Sequence, residues 1–246
     1  MIREIEELSL NAWPALDSLF CDGWILRFAG GYTRRANSVN PIYPSSRDAK
    51  EKIRYCEELY TAQGLDTVFK LTSESQPTAL DAILEDAGYL AEARTSVQTL
   101  SLDDLTSIEA ENINFSTAVS TAWIADYCRL SERHERDIPR ISQLLEKIVP
   151  QKCFLTAQHN SSNAALGLGV VERGYVGLFD IVTAKDLRNR GLGKLVVQSL
   201  LNWGKHHGAQ IAYLQVMTNN RPAIHLYQKL GFREAYQYWY RVKAAR

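Results

Sequence analysis

Residues 186–194 read Asp-Leu-Arg-Asn-Arg-Gly-Leu-Gly-Lys, which places Gly191 and Gly193 among Arg188, Arg190 and Lys194. A residue without a Cβ lets the backbone approach an anion closely, and the start of a helix offers free N–H groups and the positive end of its dipole. The chain carries 28 basic and 28 acidic side chains, so this basic cluster is a local field in a neutral protein. The constellation describes a pyrophosphate cradle, against the simpler alternative of a tight strand-to-helix turn. Two nucleotide folds are set aside. The chain has no G-x-x-x-x-G-K-[ST], and residues 188–193 lack the third glycine of a dinucleotide fingerprint.

The other reactive side chains point to less. His225 lies two residues before Tyr227 on a short helix, so the two point to different faces. His206 and His207 close a helix and complement its dipole, and His134 falls in the charged stretch 132–137; each is read as solvated. Cys21, Cys56, Cys128 and Cys153 are widely spread with no C-x-x-C pair, which fits reduced thiols rather than a disulfide frame or a zinc site, so no metal is expected.

The elements that must position the turn follow from patterning. In the C-terminal half, helices are expected at 120–131 and 137–149, and strands at 153–158, 165–171 and 176–183, the last two forming a hairpin through Arg173-Gly174. After the glycine turn, Leu192, Val196, Leu200 and Trp203 mark one face of a helix stopped by Gly208. A strand at 211–217, a helix at 222–229 ended by Gly231 and a strand at 234–243 complete the order. In the N-terminal half, strands at 24–29 and 32–39 are expected to form a hairpin around Gly30-Gly31, followed by a helix at 47–62, a strand at 65–72, a helix at 78–86 and a strand at 91–100.

The halves match each other. Superposing Gly64 on Gly208 brings Gly88 within one residue of Gly231. Two glycine stops in the same strand–helix order suggest duplication, although such units recur in any α/β protein. The same superposition puts Arg47 opposite Gly191 and Ala49 opposite Gly193, and the Gly88 register puts Leu84 opposite Tyr227. The first half thus lacks both glycines and the phenol, which makes it structural or a wall of the acceptor pocket. The division is expected at 106/107, with 1–106 a degenerate unit and 107–246 the active one; residues 101–107 and 109–111 interrupt the strand pattern there.

Bulk properties bound the partners. The chain has 246 residues, 46% hydrophobic and 23% charged, in the range of globular proteins. Zero net charge argues against nucleic acid or an anionic membrane surface as partner. Residues 1–8 lack the basic start and apolar core of a signal peptide, so the cytoplasm is the expected location.

R-x-x-G-x-G at 188–193, followed by Asn220-Arg-Pro-Ala-Ile-His-Leu-Tyr-Gln-Lys-Leu-Gly-Phe232, resembles the two cofactor-binding blocks of the GNAT superfamily of acetyl-CoA-dependent N-acetyltransferases, in the same order and at the same spacing. The resemblance covers residues 116–242, with the first half a degenerate copy. It implies a mixed α/β fold of α+β character: tandem units, each a mostly antiparallel twisted sheet flanked by helices, with a splayed parallel strand pair in the second. It also implies that acetyl-CoA, the acyl donor, lies between the strands at 176–183 and 211–217, paired with the backbone of Asp180, Ile181 and Val182, one of whose N–H groups polarises the thioester. By the same resemblance the amides of Arg188, Asn189, Arg190, Gly191, Leu192, Gly193 and Lys194 hold the pyrophosphate, and Asn220 and Ala223 meet the pantetheine arm. Tyr227 is the implied general acid for the departing thiolate. Gln215 stands where several members carry a basic Glu, which leaves Asp180, with Glu172 behind it, as the carboxylate candidate; a structural carboxylate is the alternative.

A second cluster at 30–41 carries Arg34, Arg35 and Asn37. It is either a polar strand facing solvent or a surface that recognises an anionic part of the acceptor. The acceptor implied is an amine on a small molecule or peptide, taken by a monomer or homodimer. A non-catalytic acyl-CoA sensor on the same fold is the competing function.

Overall fold

In the computed structural model, which describes residues 1–106 and 112–245, helix α6 (Leu192–His206) lies on a sheet whose strands make room for it with glycine. A Cβ on Gly167 would stand 2.7 Å from Ile181 Cδ1 and 2.9 Å from Val196 Cγ1, and one on Gly169 would stand 3.1 Å from Trp203 Cζ3. On the helix side, a Cβ on Gly204 would stand 2.7 Å from the Val176 side chain. Contacts below 3.0 Å are essentially never made by a real Cβ and 3.1 Å is tighter than most, so helix and sheet approach this closely because these positions have no Cβ. Val196, Val197, Leu200 and Leu201 fill the seam.

The chain forms two compact units that are not contiguous in sequence: Met1–Val97 with Val216–Asn220 and Glu234–Arg246, and Gln98–Gln215 with Arg221–Arg233. The expected segments 109–111 and the boundary residue 107 lie outside the described residues.

In the second unit, β6 (Ile113–Ser116), β7 (Gln151–His159), β8 (Ser162–Glu172) and β9 (Tyr175–Thr183) pair antiparallel in turn, and β9 pairs parallel with β10 (Ile211–Met217). Helices α4 (Thr121–Leu130) and α5 (Ile138–Glu146) follow β6, and α7 (Arg221–Lys229) follows β10. Ser120 caps α4 by accepting from the Trp123 amide at 3.1 Å. Cross-strand partners share a face, so Phe154, Leu168 and Phe179 lie on one side of the sheet; Leu155, Gly167 and Gly169 lie on the α6 side.

The first unit repeats this order. Helix α1 (Ile2–Ala12) precedes β1 (Asp17–Cys21), β2 (Trp24–Phe28) and β3 (Val39–Asn40), and α2 (Ala49–Thr61), β4 (Thr67–Thr72), α3 (Leu80–Asp86) and β5 (Leu90–Ser101) follow. β3 pairs parallel with β4 through Val39↔Phe69, as β9 does with β10 through Gly177↔Tyr213. Phe69 and Tyr213 align in the Gly64-on-Gly208 superposition, but Val39 aligns with Thr183 rather than Gly177, so the parallel pairing recurs while its register does not.

Three features differ from expectation. The first hairpin turns at Asp22-Gly23, both with positive φ (42° and 82°), and joins β1 to β2. Residues 29–38 form a loop rather than a strand, because the Asn37 side chain accepts from the Ala29 amide (2.7 Å) and the Gly31 amide (3.0 Å) and donates to Thr33 O (2.9 Å). The last strand, β11 (Arg233–Lys243), pairs antiparallel with β4 from Tyr238↔Thr72 to Lys243↔Thr67 and completes the first unit. Its side chains explain the choice. Tyr236 Oη donates to Glu6 at 2.7 Å, Glu6 pairs with Lys70 at 2.5 Å, and Lys70 Nζ lies 4.2 Å from the Tyr238 ring centroid. Arg241 Nε donates to Asp81 at 2.8 Å, and so does Trp239 Nε1.

Candidate active site

The parallel register of β9 with β10 ends at Leu178↔Leu214, while both strands continue. The strands therefore part after Leu178, and Gln215 lies one residue past the last pair. At the same point β9 carries a bulge. Leu168 faces Phe179 and Leu166 faces Val182, so Asp180 and Ile181 together oppose the single residue Gly167. Asp180 takes φ of +50°, a left-handed conformation that Asp tolerates better than most residues. The extra residue puts Ile181 against α6 and turns the Asp180 carboxylate toward α4, where Tyr127 Oη donates to Oδ1 at 3.1 Å.

Beyond Thr183 the chain makes a 3₁₀ turn at Lys185–Leu187 and enters α6 through Gly191, whose φ of +85° suits glycine alone without strain. No side chain caps this end of α6, and a Cβ on Gly191 would meet nothing within 4 Å. The first amides of the helix have no side-chain cap, and Arg188, Asn189, Arg190 and Lys194 are exposed beside them. Gly193 is where three elements converge: its Cβ would lie 3.4 Å from Thr183 Oγ1 at the end of β9 and 3.6 Å from Leu226 Cδ2 on α7.

Tyr227 follows Leu226 on α7. Its ring is buried and stands edge-on to Phe232, with centroids 5.9 Å apart, and burial pushes its phenol up to about 12. Gly231 (φ +93°) ends the helix, and the Phe232 amide returns to Tyr227 O at 3.0 Å. The second unit therefore brings together Asp180, Ile181, Val182, residues 188–194, Ala223 and Tyr227, while Asn220 is grouped with the first unit. Glu172 is the last residue of β8, across from Tyr175 at the start of β9 and far along the strand from Asp180, and Arg173 Nε lies 3.6 Å from its carboxylate.

Arg34, Arg35 and Asn37 lie in the first unit. Arg34 pairs with Glu92 at 2.6 Å, the Arg35 guanidinium lies 4.3 Å from the Trp13 ring centroid, and buried Asn37 closes its own loop. The turn before α2 also differs from its counterpart before α6. There the Asp22 carboxylate accepts from Ser45 Oγ (2.9 Å), the Ser46 amide (3.0 Å) and the Arg47 amide (2.8 Å). In the first unit the turn amides take an internal carboxylate and Asp48 caps α2 by accepting from the Glu51 amide at 3.0 Å, whereas α6 has no side-chain cap.

Sequence reasoning missed Tyr127. It stands 53 positions from Asp180, and only the packing of α4 against the bulge joins them.

A family model described as "Probable histone acetyltransferase Rv0428c C-terminal" matches residues 1–241. The uncharacterized N-acetyltransferase YobR of Bacillus subtilis (strain 168) is 33% identical over 251 residues, covering 98% of both chains. The chain belongs to the GNAT family of N-acetyltransferases. Two solved structures share its fold along nearly the whole length. A GCN5-related N-acetyltransferase from Kribbella flavida has a TM-score of 0.69 at 15% identity over 98% of this chain and 95% of its own. A tandem GNAT protein from the clavulanic acid biosynthesis pathway has a TM-score of 0.68 at 13% identity over 98% and 88%. The tandem organisation is thus a GNAT architecture. A shorter match is to the ribosomal protein bS18-alanine N-acetyltransferase of Salmonella typhimurium, 38% identical over 58 residues, 24% of this chain and 39% of that protein. Among the described residues of this GNAT protein no helix is long and apolar enough to cross a membrane, and no group of three or more His, Cys, Asp or Glu could hold a metal ion.

Proposed function

We propose that the second unit transfers an acetyl group from acetyl-CoA to a primary amine by direct attack in a ternary complex. The observation that carries this is the convergence at Gly193, where the end of the bulged strand, the open start of α6 and the helix bearing Tyr227 meet. The residues fit the donor. Amides of residues 188–194 at an uncapped helix start suit a pyrophosphate, with Arg188, Arg190 and Lys194 adding charge. Past Leu178, the backbone of Asp180, Ile181 and Val182 is released from β10 and can pair with an extended arm, with Ala223 along it.

Acetyl-CoA supplies the thioester carbon that the amine attacks. A backbone N–H of residues 180–182 stabilises the charge that develops on the carbonyl oxygen. Tyr227 stays protonated throughout the physiological range and donates to the departing sulfur. Asp180 accepts the proton of the attacking nitrogen. The acceptor is an amine on a small molecule or the N-terminus of a peptide; the bS18-alanine N-acetyltransferase named above supports the second.

Two measurements test this reading. Acetyl-CoA should raise the melting temperature, as any ligand of the folded state does. Release of CoA thiol should then depend on an added amine. Stabilisation without turnover on a broad amine panel would favour the sensor function, and no stabilisation by any acyl-CoA would end both.

A further inference from the structure

We propose that Tyr127 is a positioning residue for the amine side of the reaction, holding the Asp180 carboxylate at the bulge so that it can take the proton from the attacking nitrogen. This rests on the role of Asp180 given above.

Asp180 sits at the one place in β9 where the strand register breaks, and its backbone is left-handed. A bulge re-aims a side chain, and here the carboxylate reaches out of the sheet to α4. Tyr127 Oη meets it at 3.1 Å. The phenol arrives there on a fixed ring. Tyr127 is 3% exposed and stacks on Trp123, with centroids 5.7 Å apart and planes 13° from parallel. Trp123 is itself pinned, since its Nε1 donates to Leu155 O at 3.2 Å and its ring stands edge-on to Phe154 at 5.2 Å. The Arg133 guanidinium lies 5.6 Å from the centroid of the Tyr127 ring. A chain of packed groups thus runs from the β7 backbone through α4 to one oxygen of Asp180.

That arrangement matters for the proton. As the nitrogen forms the new C–N bond and the C–S bond breaks, the electron pair leaves on sulfur, which takes the proton of Tyr227. The nitrogen gives its proton to Asp180, and solvent carries one back to the Tyr227 phenolate. A donor fixed on Oδ1 holds the carboxylate in one orientation.

The test is a double-mutant cycle on the full chain. Tyr127→Phe keeps the ring and removes the hydroxyl, and Asp180→Asn keeps a residue that tolerates left-handed backbone. CoA thiol release from acetyl-CoA is measured with alaninamide, spermidine and an alanyl peptide, and with water alone. If no amine exceeds water, the proposed function fails, and this inference with it. Tyr127→Phe is expected to lower kcat by about tenfold, the scale of a lost hydrogen bond to a charged group, with the KM for acetyl-CoA and the melting temperature unchanged. In the Asp180→Asn background the same substitution should have no further effect. Equal effects of Tyr127→Phe in both backgrounds, or none in the wild type while Asp180→Asn is slow, would overturn this inference and leave Asp180 standing. Full activity of Asp180→Asn would instead remove the role of Asp180, and this inference with it.

Discussion

Leu226 Cδ2 lies 3.6 Å from the position a Cβ would take on Gly193, so the helix that carries Tyr227 touches the glycine turn directly. The two glycines of that turn are required for different reasons. Gly191 needs its positive φ but has open space around it, while Gly193 has ordinary room for a methyl group and a backbone any residue can adopt. Gly191→Ala should therefore lower stability by about 1–2 kcal/mol through left-handed strain. Gly193→Ala should melt like the wild type yet lose most of its stabilisation by acetyl-CoA, because its methyl group fills space the donor needs. Thermal melts of both variants with and without acetyl-CoA check this.

Tyr227→Phe keeps the packing against Phe232 and removes the proton donor. We expect kcat to fall on the order of 100-fold with little change in the KM for acetyl-CoA. Because burial raises the phenol to about 12, from about 10 when unfolded, the contribution of the neutral side chain to stability is full below about 10 and lost as pH rises through 12. An ultraviolet difference titration of wild type against Tyr227→Phe should show a phenol ionising near 12.

Asp22 predicts an acid-side dependence in the first unit. The Arg47 amide, helped by Ser45 and Ser46, holds its carboxyl well below the usual carboxylate range. A depressed folded value stabilises at pH above the unfolded value of about 3.9, and that contribution disappears as pH falls through the folded value. Urea midpoints of wild type and Asp22→Asn should differ at neutral pH and converge in strong acid.

Glu6 and Lys70 form a buried pair, their side chains 2% and 4% exposed. Glu6→Gln leaves the ammonium without its counter-charge and should cost about 3–5 kcal/mol by urea denaturation. Glu6→Gln combined with Lys70→Met should recover most of that loss.

Much of the second unit was legible because its signals are local. The strand at 211–217 and the helix after the glycine turn follow from short-range patterning and glycine stops, and the structure reproduces both. The first unit was harder. The hairpin was expected at Gly30-Gly31 although Asp22-Gly23 is the stronger turn signal, and only Asn37 bonding back to Ala29 and Gly31 shows that the later glycines close a loop. Helix α1 stands outside the expected elements although Ile5, Leu8 and Ala12 recur at helical spacing, and Glu6 is buried in it by its pairing with the distant Lys70. The membership of β11 in the first unit depends on partners as distant as Glu6 and Asp81, and no local pattern reports it. The same holds for Tyr127 at Asp180.

The most direct test of the account is mass spectrometry of an alanyl peptide and a small-amine panel after incubation with acetyl-CoA and either wild type or Tyr227→Phe. An acetylated amine is expected with the wild type, formed on the order of 100-fold more slowly by the variant. Equal product from both proteins, or none from the wild type despite stabilisation by acetyl-CoA, would contradict it.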